Sequence, residues 1–176
     1  MTNQSGSQPK SCTPGVKCQT GDDGSLREVT LSSNRIYEGK VLSLRVDEVT
    51  LPGGKTARRE VVEHNGAVAI IPVTDLGDVV LVRQFRYPAG IAMWEIPAGK
   101  LEAGEEPEAT AQRELAEETG YRAQSLRKVA EFYTTPGFSS ELMHLYLAEG
   151  LYEFRAEADS DEIIQTRKSS LEEVAG

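Results

Sequence analysis

Three glutamates near the middle of the chain are the side chains best suited to metal chemistry. Glu117 and Glu118 follow Glu114 at distances of three and four residues, and these spacings put side chains on one face of an α-helix. Four residues advance about 6 Å along a helix axis, so the carboxylates repel one another on a bare helix. A divalent cation removes that repulsion, and Mg²⁺ prefers carboxylate and water oxygens and often binds substrate phosphates as well. The spacing therefore predicts a Mg²⁺ site that acts on phosphate groups.

A cation of the chain itself stands beside these carboxylates. Arg113 directly precedes Glu114, and its guanidinium can pair with a carboxylate and steady the cluster. Glu105 is the natural partner, because it lies upstream in a loop that would fold back onto the helix.

The element that carries these residues is the clearest helix of the sequence. Pro107 fits the first helical turn and Gly120 fits the position just past the end, which predicts a helix over residues 107–119. The carboxylates are expected on the other faces of the helix. Four residues are expected to form its apolar face: Ala109, Ala111, Leu115 and Ala116.

A fixed frame surrounds the helix. It runs from Gly99 through Glu105, Arg113-Glu114-Leu115 and Glu117-Glu118 to Gly120-Tyr121, with gaps of five, seven, one and one residues. This frame resembles the signature of the Nudix hydrolases at every defining position.

The Nudix resemblance implies an α/β fold, in which a mixed β-sheet lies between α-helices and the signature forms a loop–helix–loop. It implies hydrolysis of a nucleoside diphosphate linked to another group, with Mg²⁺ or Mn²⁺ as cofactor. The implied metal ligands are Glu114, Glu118 and the main-chain carbonyl of Ala98. The implied catalytic residues of this segment are Glu105, Arg113 and Glu117.

Stretches outside the signature resemble the ADP-ribose pyrophosphatase subfamily. Pro136 lies sixteen residues beyond Gly120, and residues 58–68, 82–88 and 94–99 are similar to the segments that lead into the signature there. The resemblance spans about residues 35–165 and implies cleavage of ADP-ribose to AMP and ribose 5-phosphate. The implied substrate contacts are Arg59 and Glu60 near the adenosine and phosphates, Arg86 at a phosphate and Glu141 near the terminal ribose. Trp94 is either an adenine-stacking residue or a core residue.

The general base is expected outside the signature, because this subfamily uses a carboxylate on a late loop. Here the loop covers residues 149–162. Glu162 aligns best, since it stands directly before the apolar pair Ile163-Ile164 that is expected to start the next strand. Asp161 and Asp159 are the alternatives, and Glu117 is the next candidate if none of the three serves.

Three functions are compatible with these residues. The first is an ADP-ribose pyrophosphatase, and the second is a Nudix enzyme for another nucleotide sugar or a dinucleotide. The third is a sensor that binds ADP-ribose without cleaving it. The complete signature favours an enzyme over a sensor, and the subfamily features favour ADP-ribose.

The remaining sequence predicts one domain behind a polar tail. Residues 1–25 lack periodic apolar positions and are expected to be disordered, whereas residues 26–176 form the Nudix domain. Short strands are expected from residue 28 to residue 85 and then around 126–133 and 141–147, followed by the start of a second helix at 170–174. The resemblance implies a homodimer that uses the strands within residues 26–57. Relatives usually continue past a point like Gly176 with a longer helix, so this helix is short or the chain is truncated.

Composition limits the possible partners and location. The net charge of −9 disfavours nucleic acid, and no apolar stretch approaches the roughly 20 residues of a membrane span. The N-terminus lacks the apolar core of a signal peptide, so a cytoplasmic enzyme with a small nucleotide-sugar substrate is expected. Cys12 and Cys18 are expected to be free thiols, and His64 and His144 to be strand residues rather than metal ligands.

Overall fold

A computed structural model describes residues 24–156 and 163–175 of the chain. The two cysteines, nearly all of the predicted tail and the acidic end of the 149–162 loop lie outside the described residues. Within the described ranges, no helix is both long and apolar enough to cross a membrane.

The N-terminal strands form an antiparallel sheet of their own. It consists of β1 (Val29–Glu38), β2 (Ser43–Thr50) and β3 (Thr56–Glu63), in that order. The turn Pro52-Gly53-Gly54 joins β2 to β3, and Gly53 and Gly54 have φ angles of +94° and +86° there, which glycine adopts without strain. All ten positions of β1 are exposed, so this sheet presents an open edge and an uncovered surface.

A mixed sheet forms the centre of the molecule. Its order is β7 (Ala98–Lys100), β4 (Ala67–Pro72), β9 (Leu142–Glu153) and β8 (Tyr121–Tyr133), and β4 and β9 run parallel. Strand β4 is a continuous apolar run in which five of six positions are buried. The prediction of a loop from residue 149 was wrong at its start, because pairing between β8 and β9 continues to Tyr121 and Glu153.

A third, antiparallel sheet has the order β10 (Gln165–Ser169), β5 (Val79–Arg86) and β6 (Ile91–Glu95). The expectation that Ile163-Ile164 starts a strand was wrong, because β10 begins at Gln165 and Ile163 is 90% exposed.

Helix α1 (Pro107–Thr119) matches the predicted bounds and packs on β4, β7 and β8. Pro107 lies in its first turn, and Gly120 has a φ of +74° and donates its N–H to the carbonyl of Ala116. The core against α1 contains Val68, Ile70, Leu101, Ala111, Leu115, Ala123, Tyr146 and Ala148.

The predicted apolar face of α1 was partly wrong. Ala109 is exposed, whereas Thr110 is fully buried and Glu118 is only 6% exposed. Burial of these polar groups is tolerated because each makes a hydrogen bond: the Thr110 hydroxyl donates to the carbonyl of Glu106, and Glu118 accepts one from the neighbouring strand.

Helix α2 (Leu171–Ala175) begins where the second helix was expected. Ser170 and Glu173 form a capping box, since each accepts a hydrogen bond from the other's main-chain N–H, at 3.3 and 3.1 Å. The mixed central sheet, the antiparallel N-terminal strands and the helix packed on the sheet confirm the predicted α/β class.

Candidate active site

The carboxylates of α1 lie directly over β7. Glu118 Oε2 accepts a hydrogen bond from the N–H of Ala98 at 3.1 Å. The carboxylate of Glu114 lies against the next residue of the strand, since a Cβ on Gly99 would be 2.0 Å from Glu114 Cδ. A side chain at position 99 would therefore displace the carboxylate, which gives a physical reason for glycine at the start of the sequence frame.

Arg113 connects three of the glutamates. Its Nε and Nη2 donate to Glu105 Oε1 and Oε2, each at 3.0 Å, which confirms the predicted pairing. Its Nη1 donates to Glu114 Oε1 at 2.8 Å and to Glu117 Oε2 at 2.9 Å. The planar guanidinium thereby sets the positions of both helix carboxylates relative to the loop.

The ion pair between Glu105 and Arg113 shifts the pKa values of both side chains. Hydrogen bonds from Arg113 lower the pKa of Glu105 from 4.5 to about 2, and the bonds to Glu105 raise the pKa of Arg113. Glu105 also accepts the N–H of Glu102 at 3.2 Å, and its own N–H donates to the carbonyl of Glu102 at 3.1 Å. The loop before α1 is therefore closed back onto the helix.

A helix residue that is not one of the fixed positions of the sequence frame holds α1 against β8. The side-chain amide of Gln112 donates to the carbonyl of Ala123 at 2.8 Å and accepts the N–H of Ala123 at 3.2 Å. Strand β8 is at the edge of its sheet, so its outward main-chain groups need partners other than a strand. The sequence analysis missed Gln112, because a polar helix residue gives no sign of its partner.

The expected substrate contacts lie on other elements. Arg59 and Glu60 are in β3, where Arg59 Nε donates to Glu28 Oε2 at 2.9 Å and Glu60 is exposed. Arg86, in β5, donates through Nε and Nη2 to the carboxylate of Glu95, at 2.9 Å in each bond. Glu141 precedes β9 and accepts the hydroxyl of Thr134 at 2.5 Å.

The structure brings only some of these contacts near one another. The segment that leads to Glu141 docks on β3, because Val62 donates its N–H to the carbonyl of Phe138 and accepts the N–H of Ser140. Arg86 remains on a separate sheet. The expected contacts are therefore divided between the N-terminal sheet with its docked segment and the sheet that contains β5.

Of the two roles expected for Trp94, the core role is wrong. Its 37% exposure is too high for a core residue. One face of the ring is covered by the guanidinium of Arg167, 4.3 Å from the ring centroid, with Arg83 at 5.9 Å. This cation–π contact competes with adenine stacking.

Models of two protein families match the chain. A Nudix domain matches residues 63–175, and a nucleoside diphosphate sugar hydrolase N-terminal domain matches residues 28–62. The chain belongs to the Nudix family. The boundary between the two matches falls at the end of β3, where the N-terminal sheet gives way to the rest of the Nudix fold.

Individual relatives are similar to this Nudix protein over most of its length. An ADP-ribose pyrophosphatase of Bacillus subtilis (strain 168) is 51% identical over 151 residues, which are 85% of this chain and 82% of the relative. A methanol dehydrogenase activator of Bacillus methanolicus is 46% identical over 150 residues, or 84% and 81%. A crystal structure of an ADP compounds hydrolase has a TM-score of 0.75 at 22% identity, covering 86% of this chain and 83% of that one, and this likeness shows the fold.

The residues of the Nudix segment fit a divalent cation in their chemistry. Glu114 and Glu118 offer carboxylate oxygens beside the main chain of Ala98, and Gly99 leaves the space that Glu114 fills. In the part of the chain that the structure describes, no three acidic, histidine or cysteine side chains already form a metal cluster. Arg113 instead holds Glu114 and Glu117 through one nitrogen, so a cation held there would share the carboxylate of Glu114 with the guanidinium.

The expectation of a strand residue is confirmed for His144 and wrong for His64. His144 lies in β9, with Nδ1 3.0 Å from Glu131. His64 follows the last residue of β3, and its Nδ1 accepts the N–H of Gly66 at 3.1 Å. The three candidates for the general base, Glu162, Asp161 and Asp159, lie outside the described residues.

Proposed function

We propose that this Nudix protein is a Mg²⁺-dependent ADP-ribose pyrophosphatase, which hydrolyses ADP-ribose to AMP and ribose 5-phosphate. The observation that carries the proposal is the convergence of Glu114 and Glu118 on Ala98 and Gly99 beside the guanidinium of Arg113. The identity of 51% with an ADP-ribose pyrophosphatase over most of both chains supports the choice of substrate.

The proposed metal ligands are Glu114, Glu118 and the carbonyl of Ala98, with Mn²⁺ as a possible substitute for Mg²⁺. Such an ion neutralises phosphate charge and makes water more acidic. Arg113 positions Glu114 and Glu117, and Glu105 anchors Arg113 through two hydrogen bonds. Because Glu118 accepts the N–H of Ala98, this bond also fixes β7 relative to the helix.

The proposed substrate contacts are those that the resemblance to the ADP-ribose pyrophosphatase subfamily implies. Arg86 is held by Glu95 through Nε and Nη2, and its planar group suits phosphate oxygens. Arg59 and Glu60 would contact the adenosine and phosphates, and Glu141 the terminal ribose. Since Arg59 pairs with Glu28 on an exposed surface, a substrate phosphate would have to compete with that carboxylate.

Glu162 is the proposed general base, with Asp161 and Asp159 as alternatives. A base adds a factor of about 10² to 10⁴ to the rate, so one of the variants Glu162→Gln, Asp161→Asn and Asp159→Asn should lose turnover in saturating substrate while still binding it. A large loss in Asp161→Asn alone would shift the assignment by one residue. If all three variants keep full turnover, the base lies in the signature, with Glu117 the next candidate.

The exposed N-terminal sheet supports a proposed homodimer. Strand β1 is an edge strand with exposed apolar side chains, and Val29, Leu31, Ile36 and Tyr37 are each more than half exposed. The N-terminal sheet also adds no strand to the central sheet. Pairing of these strands with a second copy would cover them.

A panel of nucleoside diphosphate compounds tests the substrate. ADP-ribose, other nucleotide sugars and dinucleotides are compared at equal concentration with Mg²⁺, and phosphate is measured after treatment of the products with phosphatase. We expect the highest kcat/KM with ADP-ribose. A higher value with another compound would assign the alternative, a Nudix pyrophosphatase of different specificity, and binding without hydrolysis of any compound would indicate the sensor.

A further inference from the structure

A cavity with a cationic lining lies beside the signature, away from the helix carboxylates. It has a volume of about 290 Å³, and its lining includes Lys40, His64, Asn65, Lys100 and Glu102. Lys40 comes from the turn between β1 and β2, whereas Lys100 is the last residue of β7. The cavity therefore lies where the N-terminal sheet meets the start of the signature loop.

The two lysines point to an anionic ligand. Neither Lys40 nor Lys100 forms an ion pair with any described residue, although the chain carries a net charge of −9. Three other cations of the N-terminal sheet, Arg35, Arg45 and Arg59, are each paired with a carboxylate. Two lysines that line one cavity carry like charges, which an anion bound between them would neutralise.

The neutral lining groups add hydrogen-bond donors. His64 accepts the N–H of Gly66 through Nδ1, so in the neutral ring Nε2 carries the proton. The Asn65 side chain has an NH₂ group. Glu102 is the one carboxylate among the residues lining the cavity. An excess of donors and cations over acceptors suits the several oxygens of a phosphate group.

The size of the cavity limits the ligand. Sites for drug-sized ligands have volumes of about 300–1,000 Å³, and this cavity is just below that range. It therefore suits a free phosphate or a sugar phosphate rather than a whole dinucleotide.

We propose that this cavity is a binding site for a phosphate monoester or inorganic phosphate, held by Lys40 and Lys100. Its occupant touches the signature loop, because Lys100 follows Gly99 and Glu102 donates its N–H to Glu105, the partner of Arg113. If the occupant is the sugar phosphate released by hydrolysis, the identity of that ligand rests on the proposed function. The anion site itself does not.

Titration of the full chain in EDTA tests the site without hydrolysis. Inorganic phosphate, ribose 5-phosphate and AMP are each added at constant ionic strength, and main-chain amide shifts are followed by NMR. We expect saturable shifts at Asn65, Leu101 and Glu102. Stronger binding of ribose 5-phosphate than of phosphate would identify the sugar phosphate as the ligand, and equal binding would identify free phosphate.

Charge variants supply the control. Lys40→Gln and Lys100→Gln each remove one charged hydrogen-bond donor, so the dissociation constant should rise about tenfold in each. Lys55→Gln, in the turn before β3, should leave it unchanged. Absence of the wild-type shifts at the three amides, or equal binding by all three variants, would overturn the proposal. Failure of ADP-ribose hydrolysis with Mg²⁺ would instead count against the proposed function alone.

Discussion

At the scale of single residues, one guanidinium orders the carboxylates of the signature. Arg113 contacts Glu105, Glu114 and Glu117 at 2.8–3.0 Å. The hydrogen bonds from Arg113 lower the pKa of Glu105 to about 2, so this carboxylate stays ionised and anchors Arg113 to the loop even below pH 4.5.

Replacement of Glu105 by glutamine tests this anchor. The folded-state pKa of Glu105 lies below its usual 4.5, so its stabilising effect is complete above pH 4.5 and is lost as the pH falls towards 2. Glu105→Gln should lower the free energy of unfolding by about 1 kcal/mol at pH 7, and the difference from wild type should shrink below pH 4.5. Urea unfolding at a series of pH values measures it. A difference that stays constant down to pH 2.5 would contradict the role of the ion pair.

The pairing of Arg113 with Glu105 could be predicted because both residues are fixed positions in one local frame. The burial of Glu118 could not be predicted from the sequence. A carboxylate is expected to face water, and the group that satisfies Glu118 is the N–H of Ala98 on another element.

At the scale of elements, the orientation of α1 depends on Gln112. Its two hydrogen bonds to Ala123 hold the helix against the edge of β8, and the proposed metal ligands Glu114 and Glu118 lie further along the same helix. Because Ala123 is 4% exposed, water cannot easily replace these bonds.

Gln112→Met keeps the side-chain length and removes both bonds. We expect a loss of about 1–3 kcal/mol in the free energy of unfolding, since two main-chain groups of Ala123 are left unpaired. The Mg²⁺ concentration for half-maximal activity should also rise, because the helix can rotate relative to β7. Gln124→Met, at an exposed position of β8, is the matched control. Equal Mg²⁺ dependence in both variants would limit Gln112 to a structural role.

Elements with a strong local pattern were predicted best. The continuous apolar run of β4 and the proline and glycine that bound α1 determine those elements locally. Strands β6 and β7, with five and three residues, are too short to show a period. The end of β9 was missed because Gly150, with a φ of +65°, looks like a turn in the sequence although the pairing with β8 continues past it.

At the scale of the whole molecule, the separate N-terminal sheet indicates the proposed homodimer. Light scattering at micromolar concentration should give twice the chain mass of 19.2 kDa. Ile36→Lys places a charge on the exposed edge strand β1 and should shift the protein to the monomer, whereas Leu76→Lys, at a turn position that is 90% exposed, should not. A wild-type mass near 19 kDa would contradict the homodimer.

In the proposed function, the α1 carboxylates and a divalent ion together cleave ADP-ribose. The most direct test is the turnover of Glu118→Gln in saturating ADP-ribose and Mg²⁺, with AMP and ribose 5-phosphate identified as products of the wild type. The glutamine retains an acceptor for the N–H of Ala98 and removes the charge that a cation requires. Glu108→Gln, at an exposed position in the first turn of the same helix, is the control. We predict a loss of turnover by orders of magnitude in Glu118→Gln, with unfolding close to that of wild type and full activity in Glu108→Gln. Turnover like that of wild type in Glu118→Gln would contradict the role of this carboxylate in hydrolysis.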